Sequence, residues 1–258
     1  MSTQNLPVAT PIALITGGSR GLGRSMALKL AERGVDVILT YRTAEQEARD
    51  VAAQLEARGR KASVLPLDVG RSDGFPAFAE AVRAELARVW KRDRFDILVN
   101  NAGSGTRAAF IETTEAQFDE MLNVHLKGPF FLTQKLLPLM ADGGRILNVS
   151  SGLARYTFPG SSAYAVMKGG VEVLTRYLAR ELGPRRISVN VVAPGGIETD
   201  FGGGVMRDDT LKQMVASQTA LGRVGVPDDI GGLVAALLAP ESQWMTGQRI
   251  EATGGFFL

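Results

Sequence analysis

The stretch Ile12-Ala13-Leu14-Ile15-Thr16-Gly17-Gly18-Ser19-Arg20-Gly21-Leu22-Gly23 decides the fold. Four apolar residues run into a turn with glycines at 17, 21 and 23, and a segment of helical period follows from Leu22 to Arg33. A buried strand that enters a helix through glycines leaves backbone N–H groups at the helix N-terminus, where a phosphate is favoured and no side chain blocks its approach. An ordinary strand-to-helix turn has the same look, so motifs further along the chain must choose between the two.

Outward from this turn, short apolar runs alternate with longer segments of helical period, the sign of βαβ units feeding a parallel sheet. Strands are expected at Ile12–Thr16, Val35–Thr40, Ala62–Pro66, Ile97–Asn100, Arg145–Ser150, Ser188–Ala193 and Arg249–Ala252. Helices are expected over Leu22–Arg33, Ala44–Arg58, Phe75–Lys91, Glu115–Met140, Ala163–Leu182 and Pro227–Leu238. This is an α/β pattern: a doubly wound Rossmann sheet of seven parallel strands with helices on both faces and a ligand crevice at the carboxyl ends of the strands. Residues 11–258 read as a single domain and residues 1–10 as a flexible N-terminal extension. Gly202-Gly203-Gly204, followed by Asp208-Asp209, reads as a mobile loop over the crevice.

Composition narrows the chemistry. With 29 basic and 27 acidic residues dispersed along 258 positions, no basic stripe marks a nucleic-acid partner. There is no cysteine, and the single histidine, His125, cannot build a histidine cluster, so no metal site is expected. The N-terminus has no signal pattern, and no apolar run reaches the roughly 18 residues of a membrane helix, which reads as a cytoplasmic protein with no membrane partner.

The chemistry then rests on hydroxyls and a lysine. Ser151 stands thirteen residues before Tyr164, and Lys168 stands four after it on one helix face, so a hydroxyl, a phenol and an ammonium can converge. Reducing a carbonyl by hydride leaves an alkoxide that needs a proton, and a phenol with a pKa of about 10 donates one. A neighbouring Lys168 ammonium would lower that pKa, and Ser151 would orient the substrate oxygen. Ser150 is the rival serine, but it would point to the opposite side of the strand end. His125 reads as a packing or solvent-facing residue.

Cofactor choice is read at the end of the second strand, where an acid would bond the ribose 2′-hydroxyl of NAD. Here the end is Thr40-Tyr41-Arg42, and the nearest acid, Asp36, sits at the strand's beginning. Arg20 and Arg42 are placed to flank a 2′-phosphate, which favours NADP(H) over NAD(H); two solvated surface arginines would read the same way.

The glycine turn, Asn100-Asn101-Ala102-Gly103 and the Ser151, Tyr164, Lys168 set together resemble the short-chain dehydrogenase/reductase family in its single-domain branch. Among its members the chain is similar to 3-oxoacyl-[acyl-carrier-protein] reductases and related ketoreductases, through Asn190-Val191-Val192-Ala193-Pro194-Gly195. The resemblance implies an NADP(H)-dependent enzyme that reduces a ketone or aldehyde, with Tyr164 as proton donor. It also implies that Gly17, Ser19, Arg20, Gly21, Leu22 and Gly23 hold the cofactor, that Asp68 and Val69 meet adenine, and that Asn101, Ala102 and Gly103 pass beside the cofactor. Tyr41 falls where NAD-preferring members carry aspartate, and Asn100 is a strand brace. Lys168 would also hold the nicotinamide ribose, Asn123 would support a water relay to the lysine, and Pro194, Gly195, Ile197 and Thr199 would contact the nicotinamide half.

Four features depart from the family's pattern or go beyond it. Gly196 stands where most members have a larger residue, which would loosen the loop or open the pocket. The carrier-docking loop is the acidic Ala141-Asp142-Gly143-Gly144, leaving Arg185 and Arg186 for such a role, and the basic patch Lys91-Arg92-Asp93-Arg94 has no assigned one. Phe201, Val205, Met206, Leu211 and Met214 form an apolar set suited to a hydrophobic carbonyl substrate. The other readings are a 3-oxoacyl-[acyl-carrier-protein] reductase, an NAD-dependent alcohol dehydrogenase and, in a different class, a non-catalytic dinucleotide sensor. Apolar positions Phe118, Met121, Leu122, Val171, Leu174 and Leu178, with the Phe256-Phe257-Leu258 tail, point to a homotetramer or homodimer.

Overall fold

A computed structural model describes residues 10–258, so the expected extension lies, apart from Thr10, outside the described residues. Seven parallel strands, β1 (Ile12–Ile15), β2 (Asp36–Tyr41), β3 (Ala62–Pro66), β4 (Phe95–Asn100), β5 (Met140–Val149), β6 (Ser188–Pro194) and β7 (Arg249–Ala252), run in the order β3-β2-β1-β4-β5-β6-β7. The order reverses between β1 and β4, the switch point at which a doubly wound sheet opens its crevice.

Strand alternation builds two cores. Ala13, Ile15, Val37, Leu39, Ile97 and Val99 face α1 (Gly21–Glu32), α2 (Glu45–Glu56) and α8 (Pro227–Leu237). Ile12, Leu14, Ile38, Leu98, Ile146 and Val189 face α3 (Phe75–Glu85) and α5 (Gly128–Leu136). Both faces being covered explains why the strands read as continuous apolar runs instead of alternating ones. No helix among the described residues is long and apolar enough to cross a membrane.

Several expected elements need correction. The helix expected over Glu115–Met140 is α4 (Glu115–Leu122), a π-turn (Asn123–Lys127) and α5, closed by a short 3-10 turn containing Pro138. Pro138 cannot continue the helix. Met140 then starts β5, five positions before the expected Arg145, and a register shift between Phe95 and Ile97 absorbs the extra residues. Two 3-10 turns (Phe201–Gly203 and Val205–Arg207) and α7 (Asp209–Ser217) replace the expected loop; Asp208 Oδ1 caps α7 by accepting from Leu211 N at 2.9 Å.

Two charged features also find structural uses. Arg92 of the basic patch bonds Asp96 through both guanidinium nitrogens at 2.9 Å and donates to the Thr10 carbonyl. Asp36 is buried, accepting from Trp90 Nε1 and Lys61 N at 2.9 Å. It therefore braces the amino end of β2, away from the carboxyl ends of the strands.

Candidate active site

The glycine turn is held by its neighbours. Gly18 N donates to the Thr40 carbonyl at 2.9 Å, and Asn101 Nδ2 donates to the carbonyls of Thr16 and Gly17 at 2.8 and 3.0 Å. Thr16 Oγ1 accepts from Asn101 N and Ala102 N, both at 3.0 Å. The side chain of Asn101 is thus spent on bracing. Gly17 has φ +67°, and a Cβ there would lie 2.9 Å from Ala102 Cα, while a Cβ on Gly23 would collide with the Gly17 carbonyl. Both positions require glycine. The first turn of α1 carries no acid, which leaves its N–H groups open to an anion.

At the carboxyl ends of the strands lies a cavity of about 420 Å³. Every catalytic and cofactor-binding residue inferred from the sequence lines it except Asn123, which sits half-buried in the π-turn, away from the lining. Asp68 takes up the Gly70 N–H at 2.9 Å. Asn100 is a buried brace, donating to Thr133 Oγ1 and Asn148 Oδ1.

Arg20 and Arg42 line the adenosine end and are exposed. The Tyr41 hydroxyl engages Glu45, whose carboxylate is paired with Arg49 at 2.6 Å and stays outside the lining. The sheet thus presents no carboxylate at the end of β2.

The catalytic candidates converge from β5 and α6 (Ser162–Leu182). Ser151 engages the Tyr164 hydroxyl and caps the following turn by accepting from Leu153 N at 3.2 Å. Lys168 is buried, donates to the Val149 carbonyl at 2.8 Å, and sits 5.4 Å from the Tyr164 ring centroid. Burial raises the Tyr164 phenol above its ordinary range, with the Ser151 bond pulling the other way. The ring is half-buried and its side chain faces the cavity. Burial also pushes Lys168 down to about 7. The expected lowering of the phenol by the ammonium is therefore not the dominant influence here, because the buried lysine itself gives up much of its charge near neutral pH. Ser150 bonds Glu172 Oε1 at 2.7 Å on the far side of the strand end, as its rival position suggested.

His125 is a packing residue of the cavity wall. Its ring meets Tyr164 edge-to-face at 4.9 Å, its Nε2–H donates to the Ser104 carbonyl at 2.6 Å, and burial pushes it down to about 3. It is neutral at any ordinary pH. The substrate end also gains Tyr156 and Phe158, which the sequence reading did not place, and Phe256, which it had assigned to the subunit interface, while Val215 takes the position expected for Met214. The space freed by Gly196 does not open the pocket: a Cβ there would lie 3.0 Å from Met206 Sδ and 3.1 Å from Val215 Cγ1. Arg185 is engaged by Asp142 and the carbonyls of Leu137 and Met140, while Arg186 stays exposed.

The profile of the family described as enoyl-(acyl carrier protein) reductase matches residues 17–257. Tetrahydroxynaphthalene reductase PfmaG of Pestalotiopsis fici is 35% identical over 98% of this chain and 94% of its own. The 3-oxoacyl-[acyl-carrier-protein] reductase FabG of Staphylococcus aureus is 36% identical over 96% of this chain and 99% of its own. Among solved structures, the angucycline C-6 ketoreductase LanV with bound NADP superposes with a TM-score of 0.91 at 36% identity, covering 96% of this chain and 95% of its own. With the Ser151, Tyr164 and Lys168 geometry and the seven-stranded sheet, these matches make the chain a member of the short-chain dehydrogenase/reductase family and an oxidoreductase.

Proposed function

We propose that the protein is an NADP(H)-dependent ketoreductase whose substrate is a hydrophobic, ring-bearing ketone. The observation that carries this reading is the placement of Ser151, Tyr164 and Lys168 in one cavity with the acid-free glycine turn. The residues fit the nucleotide: Gly17, Gly21 and Gly23 leave a cradle for a pyrophosphate, and Arg20 and Arg42 flank the place of a 2′-phosphate. LanV, with NADP bound, supports that choice.

When bound, the nucleotide supplies a hydride to the carbonyl carbon. The protein's own residues handle the oxygen. Ser151 donates a hydrogen bond to it, and Tyr164, kept protonated by burial, passes its phenolic proton to the developing alkoxide. Lys168, anchored on the Val149 carbonyl, would hold the nicotinamide ribose, and its ammonium form, protonated from solvent, stabilises the phenolate left when Tyr164 gives up its proton. Asn123, in the π-turn behind the lining, would support the water relay to Lys168 that the family resemblance implies. The apolar wall excludes bulk water, with Tyr156, Phe158, Phe201 and Phe256 offering ring faces and edges to a flat substrate.

The test is NADPH oxidation over a panel of cyclic, aromatic and acyclic ketones, run in parallel with NADH. A preference for NADPH with ring ketones supports the reading. Binding of nucleotide with no turnover on any ketone supports the sensor instead, and faster NAD-linked alcohol oxidation supports the dehydrogenase. The carrier-protein reading is weakened by the engagement of Arg185 with Asp142, and turnover confined to carrier-bound 3-oxoacyl chains would restore it.

A further inference from the structure

A chain of charged side chains that touches no reactant runs behind the site. Ser150 Oγ donates to Glu172 Oε1 at 2.7 Å, and Arg249 Nε donates to the same oxygen at 2.8 Å. Arg249 Nη1 reaches Glu251 Oε2 at 3.1 Å, and Arg155 Nη1 meets that oxygen at 2.7 Å. The same Arg155 guanidinium lies 5.6 Å over the centroid of the Tyr156 ring, which links Glu251 to that wall of the cavity. Glu172, Arg249 and Glu251 are shielded, with side-chain exposures of 15%, 23% and 19%, whereas Arg155 is at 63%.

The order of these contacts is informative. Ser150 immediately precedes Ser151, and Arg155 and Tyr156 close the short turn that follows it. The segment carrying the catalytic serine is therefore held at its first residue through Glu172 and at its last two through Glu251, with Arg249 joining the two carboxylates. Glu172 lies one helical turn beyond Lys168 on α6, and the Lys168 carbonyl is itself 3.3 Å from Ser150 Oγ. Arg249 and Glu251 lie two apart on β7, so their side chains share one face of the sheet. Two carboxylates alternate with two guanidinium groups, and burial of each charge is offset by its neighbours. Burial alone would raise Glu251, but Tyr156, Arg155 and Arg249 hold it below its ordinary value.

We infer that Glu172, Arg249 and Glu251 are positioning residues that clamp the Ser150–Tyr156 segment, setting Ser151 against Tyr164 at one end and the Tyr156 wall of the substrate pocket at the other. The inference rests on the ketoreductase reading. It divides the work between the two carboxylates: Glu172 governs the rate of the chemical step through Ser150, and Glu251 governs ketone binding through Tyr156.

The test compares Glu172→Gln, Glu251→Gln and the milder Ser150→Ala by steady-state kinetics, NADPH titration and amide hydrogen exchange. Glu172→Gln and Ser150→Ala are expected to lower kcat by about 10–100-fold, the cost of a misplacement near 1 Å. Glu251→Gln is expected to raise KM for the ketone about tenfold with kcat within about threefold, the size of a lost pocket contact. All three should leave NADPH affinity within about threefold while speeding exchange at residues 151–156 alone. Equal losses of kcat, KM and NADPH affinity, or a fall in melting temperature with unchanged kinetics and exchange, would overturn the inference. If Glu172→Gln fails to fold, Ser150→Ala reads the same link with the charges intact. Should the wild type reduce no ketone, the functional reading falls, and exchange over 151–156 still decides whether the clamp exists.

Discussion

Tyr164 is the residue on which the chemistry turns, and Tyr164→Phe removes its proton donor with almost no change of volume. Reduction is expected to fall by about 10²–10⁴-fold with NADPH affinity within a few-fold, read by steady-state rates and fluorescence titration. Substantial residual turnover would exclude the assignment. For the nucleotide, Arg20→Ala and Arg42→Ala should each weaken NADPH by about 1–3 kcal/mol while sparing NADH, if each guanidinium meets the 2′-phosphate through a charge-assisted bond. Equal losses for both nucleotides would count against that recognition. Lys168 makes a further measurable demand. Its folded value of about 7 lies below its ordinary 10.5, so between these limits the unfolded chain binds the extra proton. Stability from this group therefore rises with pH from about 7 to 10.5 and is lost as pH falls through 7. Lys168→Met should flatten the rise of melting temperature across that window, and an unchanged slope would show that the lysine keeps its charge in the folded state.

Among the elements, all seven strands were legible because parallel strands covered on both faces are short apolar runs between turn signals. The turn at Asn123–Lys127 was not, since an extra residue per helical turn leaves no mark in the side-chain pattern. Helix α7 had a signal, Asp208 before Leu211, Met214 and Val215 at helical spacing, but the three glycines ahead of it suggested a loop. The Ser151, Tyr164 and Lys168 set could be read because its members are close in sequence. The clamp could not: Glu172 and Arg249 are 77 positions apart and Arg155 and Glu251 are 96 apart, so only the β5-β6-β7 order brings them together. The contact of β6's following turn with the 3-10 turns before α7 makes one prediction. Gly196→Ala should force Met206 and Val215 outward and lower kcat/KM for a bulky ring ketone by about tenfold, the worth of one methylene-sized change in an apolar pocket. Unchanged kinetics across a size series of ketones would show that the wall yields freely.

For the whole molecule, assembly is the open expectation, and the apolar residues available for it differ from those first inferred. Phe118 on α4 is exposed as inferred, but Met121 and Val171 are buried within the chain, and Phe130 and Phe131 on α5 and Val166, Val173 and Tyr177 on α6 are exposed instead. Exposed apolar residues on these three helices favour a symmetric homotetramer or homodimer. Light scattering at micromolar concentration should give a multiple of 27.5 kDa, and a fully active species at that mass would refute the expectation. The placement of Phe256 in the cavity wall, in edge-to-face contact with Tyr156 at 5.6 Å, has a practical consequence for anyone handling this enzyme. The described chain enters at the amino end of β1, opposite the mouth of the crevice, whereas its last residues leave beside that mouth. A purification tag or surface tether added after Leu258 would stand in the doorway through which any substrate must pass.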